Sequence, residues 1–524
     1  MRRSPETAHT IPEAVKFLVT PESVRNDAPE LGTLLSWAPT DPATALSFFS
    51  QMFKPNPFTA QYAVKCLRSF DADQILFYIP QLVQALRYDT IGYVYEYLIW
   101  ASKQSPLLCH QLMWNMKTNR FRDEEGEVKD EEIGDKIDSI LKIIEQNFDE
   151  REKKFYERQF DFSSELTEIS HRIKPYNKDN GDRKRECLKE IKKLSVPEMV
   201  YLPSNPHCVV TGINRKIGIP LQSAAKAPYL AEFEVKKVGV ANLEKACANG
   251  DKEALRILNR ARTFMQKTIF KAGDDCRQDM LALQVIEIFS NAFKSVGLDV
   301  YLMPYKVVAT SPGYGIIECI PDSKSRNELG KKTDETLLEI YRAKFGPENG
   351  PKFQEKRRNF IRSMAAYSLV LFILQIKDRH NGNIMIDDQG HLLHIDFGFI
   401  FESSPGGNLG WEPDMKITEE MVKLMGGSIE SKEFKWFKSL AIKAYLAVRP
   451  YQESIVSLVT LMLGTGLPCF LGQTIKQLRA RFAPTMTERQ AAVYLDEVIR
   501  KSTLSKWSHT YDMIQYKQQG ILYA

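Results

Sequence analysis

Two short words near residue 380 carry the residues with the most chemical content: Lys377-Asp378-Arg379-His380-Asn381-Gly382-Asn383 and His394-Ile395-Asp396-Phe397-Gly398. Moving a phosphoryl group from ATP spreads charge over that group, so the reaction needs a divalent cation and a side chain that orients the acceptor hydroxyl. Asp396, at the end of an expected strand and beside the small Gly398, can present a carboxylate to Mg²⁺. Asn383, thirteen positions earlier across an expected hairpin, can offer a neutral oxygen to a second ion. Asp378 stands five positions before Asn383, and His380 follows it. His391 and His394 are spaced by three, which on a strand puts them on opposite faces, so no shared metal is expected there.

Upstream residues agree with phosphate chemistry. Lys271 ends an apolar strand, Thr268-Ile269-Phe270, where its ammonium can reach an α-phosphate. Asp274-Asp275-Cys276-Arg277-Gln278-Asp279 then opens a helix, and Asp279 is placed to orient Lys271. The Gly-rich loop of protein kinases is missing. Pro312-Gly313-Tyr314-Gly315 is a weak match between strands. Leu221-Gln222-Ser223-Ala224-Ala225-Lys226-Ala227-Pro228 is the better candidate, because small side chains let backbone N–H groups approach phosphates and Lys226 adds charge.

These words need elements to hold them. The hairpin is expected as Ile384-Met385-Ile386 paired with Leu393-His394-Ile395. Strands are also read at His207–Val210, Ala231–Val235, Val300–Leu302, Val307–Ala309 and Gly315–Ile320, with a helix from Gln278 to Phe293 among them. From Glu335 onward the pattern is mainly helical. The N-terminal part is helical and repetitive, with start signals at Asp41-Pro42, Asn56-Pro57, Asp71, Asp89-Thr90 and Ser105-Pro106. Their regular spacing points to an α-solenoid. Ile75, Ile79, Leu82, Val83 and Leu86 form one apolar stripe, and Tyr93, Tyr97 and Trp100 another. The charge-dense stretch Arg120–Arg158 keeps helical spacing at Ile133, Ile137, Ile140, Leu141, Ile144 and Phe148, and reads as an amphipathic helix lying back on the solenoid.

Composition sets the outer limits. The chain has 524 residues, 43% of them hydrophobic and 26% charged, which excludes a disordered tail, a collagen and a disulfide scaffold. A net charge of +5 over that length is too weak a field to suggest nucleic acid. Eight scattered cysteines form no C-x-x-C pair, so reduced thiols are expected. The uncharged stretch Ser454–Ile475 is long enough to span a bilayer, but Gly464, Gly466, Pro468 and Gly472 break it, so a buried helix ending near Leu463 is expected instead.

With these residues in place the chain resembles the phosphoinositide 3/4-kinases and their protein-kinase relatives. The matching words are Lys271-Ala272-Gly273-Asp274-Asp275 with Arg277-Gln278-Asp279, Asp378-Arg379-His380-Asn381-x-Asn383 and Asp396-Phe397-Gly398, and the resemblance runs from about residue 30 to the C-terminus. Asp378 falls where the protein-kinase catalytic loop keeps its base, although no His precedes it at two positions. Pro220–Tyr229 and Phe401–Asn408 are most similar to the type III 4-kinases of the alpha type. The implied fold is α+β: a bilobal protein-kinase-like catalytic domain, with a β-rich N-lobe and an α-rich C-lobe, preceded by a helical solenoid. The expected boundaries are an N-terminal segment 1–29, an accessory helical domain with charged connector 30–195, an N-lobe 196–320 and a C-lobe 321–524. The resemblance implies ATP with Mg²⁺, or Mn²⁺ in its place. It puts Ser223 and Lys226 in the phosphate loop, Lys271 on the α-phosphate, and Tyr305 and Asp279 in the inner pocket. Glu318, Cys319 and Ile320 become the hinge that reads adenine. Asp378 and His380 become the catalytic pair, with the proton acceptor open between them, and Asn383 and Asp396 the metal ligands.

The acceptor can be read from charge. From Phe397 to Met415 there is no Lys or Arg, while Glu402, Glu412 and Asp414 are acidic. Recognition of extra phosphates wants Arg or Lys, so unphosphorylated phosphatidylinositol is expected as substrate. Transfer to the 4-hydroxyl rests on the resemblance alone. A lipid substrate requires peripheral docking on a membrane, by resemblance the plasma membrane from the cytoplasmic side. Trp507, Tyr511, Met513, Ile514, Ile521 and Leu522 with Lys506 and Lys517 read as an interfacial helix or as packing on the C-lobe. The alternatives are a Ser/Thr protein kinase of the same superfamily, disfavoured because no Ala-Pro-Glu follows the loop, and a truncated fragment without activity. Family chains of the alpha type are considerably longer, so a fragment or short form is expected, with membrane-anchoring scaffold proteins as partners of the full-length family.

Overall fold

The computed structural model describes residues 7–177, 181–221, 227–249, 251–330, 335–405 and 412–504. Ser223, Lys226 and the stretch from Trp507 to Leu522 lie outside the described residues. The chain forms two compact units. The first comprises Met1–Met280, Lys306–Cys319 and Ser457–Gly466; the second comprises Leu281–Tyr305, Ile320–Val456 and Leu467–Ala524.

In the first unit the expected helix starts recur, and side chains make them. Asp41 accepts from Thr44 N–H at 2.9 Å to open Pro42–Ser47, and Asn56 accepts from Phe58 and Thr59 to open Pro57–Arg68. Asp71 and Gln74 form a capping box for Ala72–Leu76, and Ser105 accepts from Leu108 at 3.0 Å to open Pro106–Asn119. Each contact satisfies donors that a helix N-terminus leaves open. Asp89 acts from further away. Its carboxylate accepts the N–H groups of Gly92 and Tyr95, and the helix Tyr93–Ser102 starts after Gly92, which has a left-handed φ of 85°. The stripe Ile75, Ile79, Leu82, Val83 and Leu86 is buried, as are Ile133, Ile137, Ile140, Leu141 and Ile144. The charged stretch is not one helix. Phe121 bridges Lys129, then helices Gly134–Asn147 and Glu150–Ile173 follow, the second opened by an Asp149–Glu152 capping box.

A buried ion pair locks this part. Arg87 bonds Asp130 at 2.6 Å with both side chains no more than 2% exposed, and Asp130 also accepts from the N–H groups of Glu132 and Ile133. Burial pushes the Asp130 carboxyl up, but Arg87 and these donors override it and hold it below its ordinary value. Its contribution to stability is therefore present above about pH 4 and lost as pH falls through the folded-state value. Arg87→Ala is expected to cost about 3–5 kcal/mol in denaturant unfolding, because it removes the bidentate partner of a buried carboxylate and leaves it, among the described residues, only the half-exposed Arg122, at 3.3 Å, as a cation. The same variant should flatten the acid-unfolding limb, and a cost below about 1 kcal/mol would show that the pair is not the lock.

The same unit carries a six-stranded antiparallel sheet: β1 Val200–Leu202, β2 Asn205–Pro220, β3 Tyr229–Lys237, β4 Thr263–Ala272, β5 Val307–Ser311 and β6 Tyr314–Glu318. Their spatial order is β1-β2-β3-β4-β6-β5. β3 buries alternate residues at Tyr229, Ala231, Phe233 and Val235, the period of a strand with one face on a core. Tyr201 and Val209 of the sheet pack with Leu107, Trp114 and Phe155 of the helices.

The second unit is built on the helix Pro351–Leu374, whose last twelve residues from Ser363 are all buried. Gln375, with φ 51°, ends it and sends the chain into the Asp378 loop. A three-stranded sheet follows the order β7 Ser323–Ser325, β8 Ile384–Asp387 and β9 Leu392–His394, and β8 and β9 are the expected hairpin. Val300–Leu302 is not a strand. Tyr301 donates its N–H to Arg362 O and stacks its ring on His391 at 3.7 Å, so this segment is held by that bond and by ring packing and joins no ladder. The uncharged stretch forms the helix Gln452–Met462 and a short turn at Leu463–Thr465. Among the described residues no helix is long and apolar enough to cross a membrane.

Candidate active site

The β8–β9 hairpin brings the three expected residues together. Ile384 pairs with His394, and Asn383 O accepts Ile395 N–H at 3.1 Å, so Asn383 lies across the ladder from the residue before Asp396. Asn383 Nδ2 donates to Asp378 O at 2.9 Å. That bond spends the amide nitrogen and leaves Asn383 Oδ1 as the oxygen for a cation. Asn383 is 6% exposed, so its side chain is held by the fold.

Asp378 and Asp396 share a backbone signature. Their φ values are 61° and 62°, in the left-handed region that Asp and Asn enter more readily than other non-glycine residues. Each is held from outside. Asp378 N–H donates to Glu412 Oε2 at 3.1 Å, and Asp396 N–H donates to the Tyr305 hydroxyl at 3.3 Å. Arg379 is the central bolt. Its guanidinium donates to the carbonyls of Lys377, Ile395 and Asp396, and it is 4% exposed. Burial lowers its basicity, and the charges of Asp396 and Asp378 oppose that.

His380 sits beside Asp378. Its Nδ1 accepts Gly382 N–H at 3.0 Å, so a neutral ring carries its proton on Nε2, 3.9 Å from Asp378 Oδ2. A Cβ on Gly382 would lie 2.8 Å from His380 Cε1, which is why only glycine fits under the ring. His391 and His394 do not meet. His391 bonds Asp387 at 2.8 Å, whereas His394 is buried and its basicity is driven down by burial and by the charges of Arg379 and Lys416. Among the described residues no group of three or more His, Cys, Asp or Glu could hold a metal. Oxygens from one carboxylate and one amide suit a hard cation that also takes oxygens from its substrate, so the donors present fit Mg²⁺.

The segment after Asp396 is anchored by its own acids. The Glu402 carboxylate accepts the N–H groups of Leu471 and Gln473 and the Thr474 hydroxyl, at the start of the helix Thr474–Arg481. Asp414 accepts from Gln375 at 2.9 Å and from Arg481 at 3.2 Å, and Glu412 holds Asp378. The acidic residues read above as bearing on the acceptor thus have internal partners. The glycine word Pro312–Gly315 is also structural: it turns β5 into β6, and Gly313 O accepts the N–H groups of Gly273 and Asp274.

The first unit places the other residues. Lys271 lies on β4 opposite Gly315 of β6. A Cβ on Gly315 would collide with Cys276 Sγ. The buried Cys276 thiol is pushed up by burial and feels the charges of both Lys271 and Asp279, so these converge on one spot. Asp279 is 4% exposed in the first turn of the helix Arg277–Ser295. Arg277 pins the approach to that helix, pairing with Asp275 at 2.7 Å and donating to Asn119 Oδ1 and Arg122 O. At the expected hinge, Glu318 N–H donates to Lys306 O and Cys319 N–H to Lys267 O. Burial raises the Glu318 carboxyl and pushes the Cys319 thiol up to about 12, which marks an unreactive thiol. Arg379 and Arg277 had no assigned role from sequence, and Glu412 was read there only as an acid bearing on the acceptor, not as a partner of Asp378. Their partners lie between 2 and 158 positions away, and only the near ones leave a local trace.

Comparison with known proteins fits this geometry. The family model described as phosphatidylinositol 3- and 4-kinase matches residues 265–472, and that of the phosphoinositide 3-kinase accessory (PIK) domain matches residues 3–157. Phosphatidylinositol 4-kinase stt4 of Schizosaccharomyces pombe is 45% identical over 94% of this chain and 26% of its own length. The phosphatidylinositol 4-kinase alpha-like protein P2 of Homo sapiens is 49% identical over 75% of this chain and 71% of its own. Phosphatidylinositol 4-kinase alpha 2 of Arabidopsis thaliana is 38% identical over 81% and 77%. The chain thus spans about a quarter of the length of the fungal relative and most of the length of the other two. With accessory and catalytic regions both matched, the chain belongs to the phosphatidylinositol 3- and 4-kinase family.

Proposed function

We propose that the chain transfers the γ-phosphoryl group of ATP to the 4-hydroxyl of phosphatidylinositol. The observation that carries this reading is the tie between Asp378, Asn383 and Asp396 across the β8–β9 hairpin. Asp378 is the residue that takes the proton of the inositol hydroxyl. His380 is disfavoured as the base because its Nδ1 already accepts Gly382 N–H, which leaves Nε2 as a donor. The acceptor oxygen then bonds to the γ-phosphorus as the bond from that phosphorus to the ADP oxygen breaks, and the departing charge stays on ADP. Asn383 Oδ1 and the Asp396 carboxylate are the ligands for Mg²⁺, with Mn²⁺ as the substitute ion. When bound, the ion neutralises charge on the phosphates.

Lys271 serves the α-phosphate, Ser223 and Lys226 the phosphate loop, and Asp279 and Tyr305 the inner pocket. Glu318, Cys319 and Ile320 supply the backbone that reads adenine. Domain boundaries near residues 195 and 320 follow the same reading. The segment from Phe397 to Met415 has no Lys or Arg, and its acids at 402, 412 and 414 are engaged internally. That leaves nothing cationic in the segment to read added phosphates, which supports an unphosphorylated ring. Peripheral membrane association, at the plasma membrane, and a membrane-anchoring scaffold belong to the same proposal.

The test is a kinase assay on the purified chain with phosphatidylinositol vesicles, ATP and Mg²⁺, separating the 3-, 4- and 5-monophosphates. The 4-phosphate is expected. A 3-phosphate product would overturn the regiochemistry, and turnover of phosphatidylinositol 4,5-bisphosphate at a comparable rate would overturn the acceptor argument. No lipid product under any of these conditions would overturn the kinase reading.

A further inference from the structure

Asp378, at φ 61°, is met from outside its own loop by a 3.1 Å bond from its N–H to Glu412 Oε2. Glu412 lies at the far end of the segment that begins at Asp396, 34 positions from Asp378. Its surroundings are built for this contact. Lys377 N–H donates to Phe399 O at 2.9 Å, so the start of the Asp378 loop is also tied to the start of that segment. Two positions after Glu412, Asp414 grips Gln375 and Arg481. The catalytic loop is therefore tied to the described residues at both ends of the segment, and Glu412 reaches Asp378 itself.

The charges around Glu412 give a second line of support. Lys377 and Arg379 both lie within its electrostatic reach, and Asp378 is the like charge beside it. Burial works against the ionised forms of both Glu412 and Lys377, and each is the other's largest electrostatic relief. A carboxylate whose only task was charge balance would not need to meet the Asp378 N–H.

We propose that Glu412 is a positioning residue for the phosphoryl transfer, and that its hydrogen bond to the Asp378 N–H sets the placement of the Asp378 carboxylate. This rests on the reading of Asp378 as the base.

Two variants separate reach from charge. Glu412→Gln keeps an oxygen in reach of the Asp378 N–H and loses the charge. Glu412→Asp keeps the charge and draws the oxygen back by one methylene. Initial rates are measured on the full chain with phosphatidylinositol vesicles across ATP concentrations, below each variant's melting transition. The expected result is kcat within about threefold of wild type for Glu412→Gln and a loss of about tenfold or more for Glu412→Asp, with KM for ATP unchanged within about twofold in both. A loss in Glu412→Gln that equals or exceeds that in Glu412→Asp overturns the proposal, as do near-wild-type rates in both or a change confined to KM. Absence of wild-type turnover is the separate outcome that sinks the kinase reading itself.

Discussion

Asp396→Asn is expected to lower phosphatidylinositol phosphorylation by about 10³-fold or more, while the protein stays folded and melts within a few degrees of wild type. Asparagine is the informative replacement. At φ 62° an alanine would add backbone strain of about 1–2 kcal/mol and confuse loss of metal with loss of fold. Asn tolerates that conformation and can still accept the N–H of Gly398, which now reaches Asp396 Oδ1 at 3.3 Å. What it removes is the negative charge, so that Asn383 and the new amide would face a divalent cation with no carboxylate between them. Initial rates against Mg²⁺ concentration, with thermal melting in parallel, check this. Turnover within tenfold of wild type would remove Asp396 from the metal site.

The second large effect is at Asp378. Asp378→Asn should cost about 10²–10⁴-fold in kcat, the range of a lost general base, with KM for ATP unchanged within about twofold. The φ of 61° is again compatible with Asn, and the backbone N–H that Glu412 accepts is untouched. His380→Gln is the paired control. Because His380 Nδ1 takes the Gly382 N–H and Nε2 faces Asp378, Gln should cost less than Asn at 378. The reverse order would move the base to His380. Single-turnover measurements at saturating ATP, with phosphatidylinositol vesicles, separate the two.

Much of this site was legible because its signals are local. The caps at Asp41, Asn56 and Ser105 act within three residues, so a side chain followed by Pro announces the helix it opens. The β8–β9 hairpin closes within eleven residues, so alternation and a turn sufficed to find it and to place Asn383 against Asp396. What stayed hidden depends on partners far away in the chain. Val300–Leu302 alternates like a strand, but its neighbour is the ring of His391. The stretch 120–158 keeps one helical period through two helices, because the break before Asp149 does not disturb the apolar face. Glu402 and Asp414 looked like charges offered to the acceptor, and only the fold shows that they are tied to Thr474, Gln375 and Arg481.

The shared core of the first unit limits how this protein can be dissected. Tyr201 and Val209 of the sheet are covered by Leu107, Trp114 and Phe155 of the helices, and Thr118 reaches Ala309 of β5. Arg277, at the head of the helix that carries Asp279, is bonded to Asn119 and Arg122. An expression clone trimmed to the catalytic region would therefore uncover an aromatic face and expose strand groups prone to self-association. For anyone preparing this protein for screening or crystallisation, the accessory helices belong in the smallest piece that keeps that face covered.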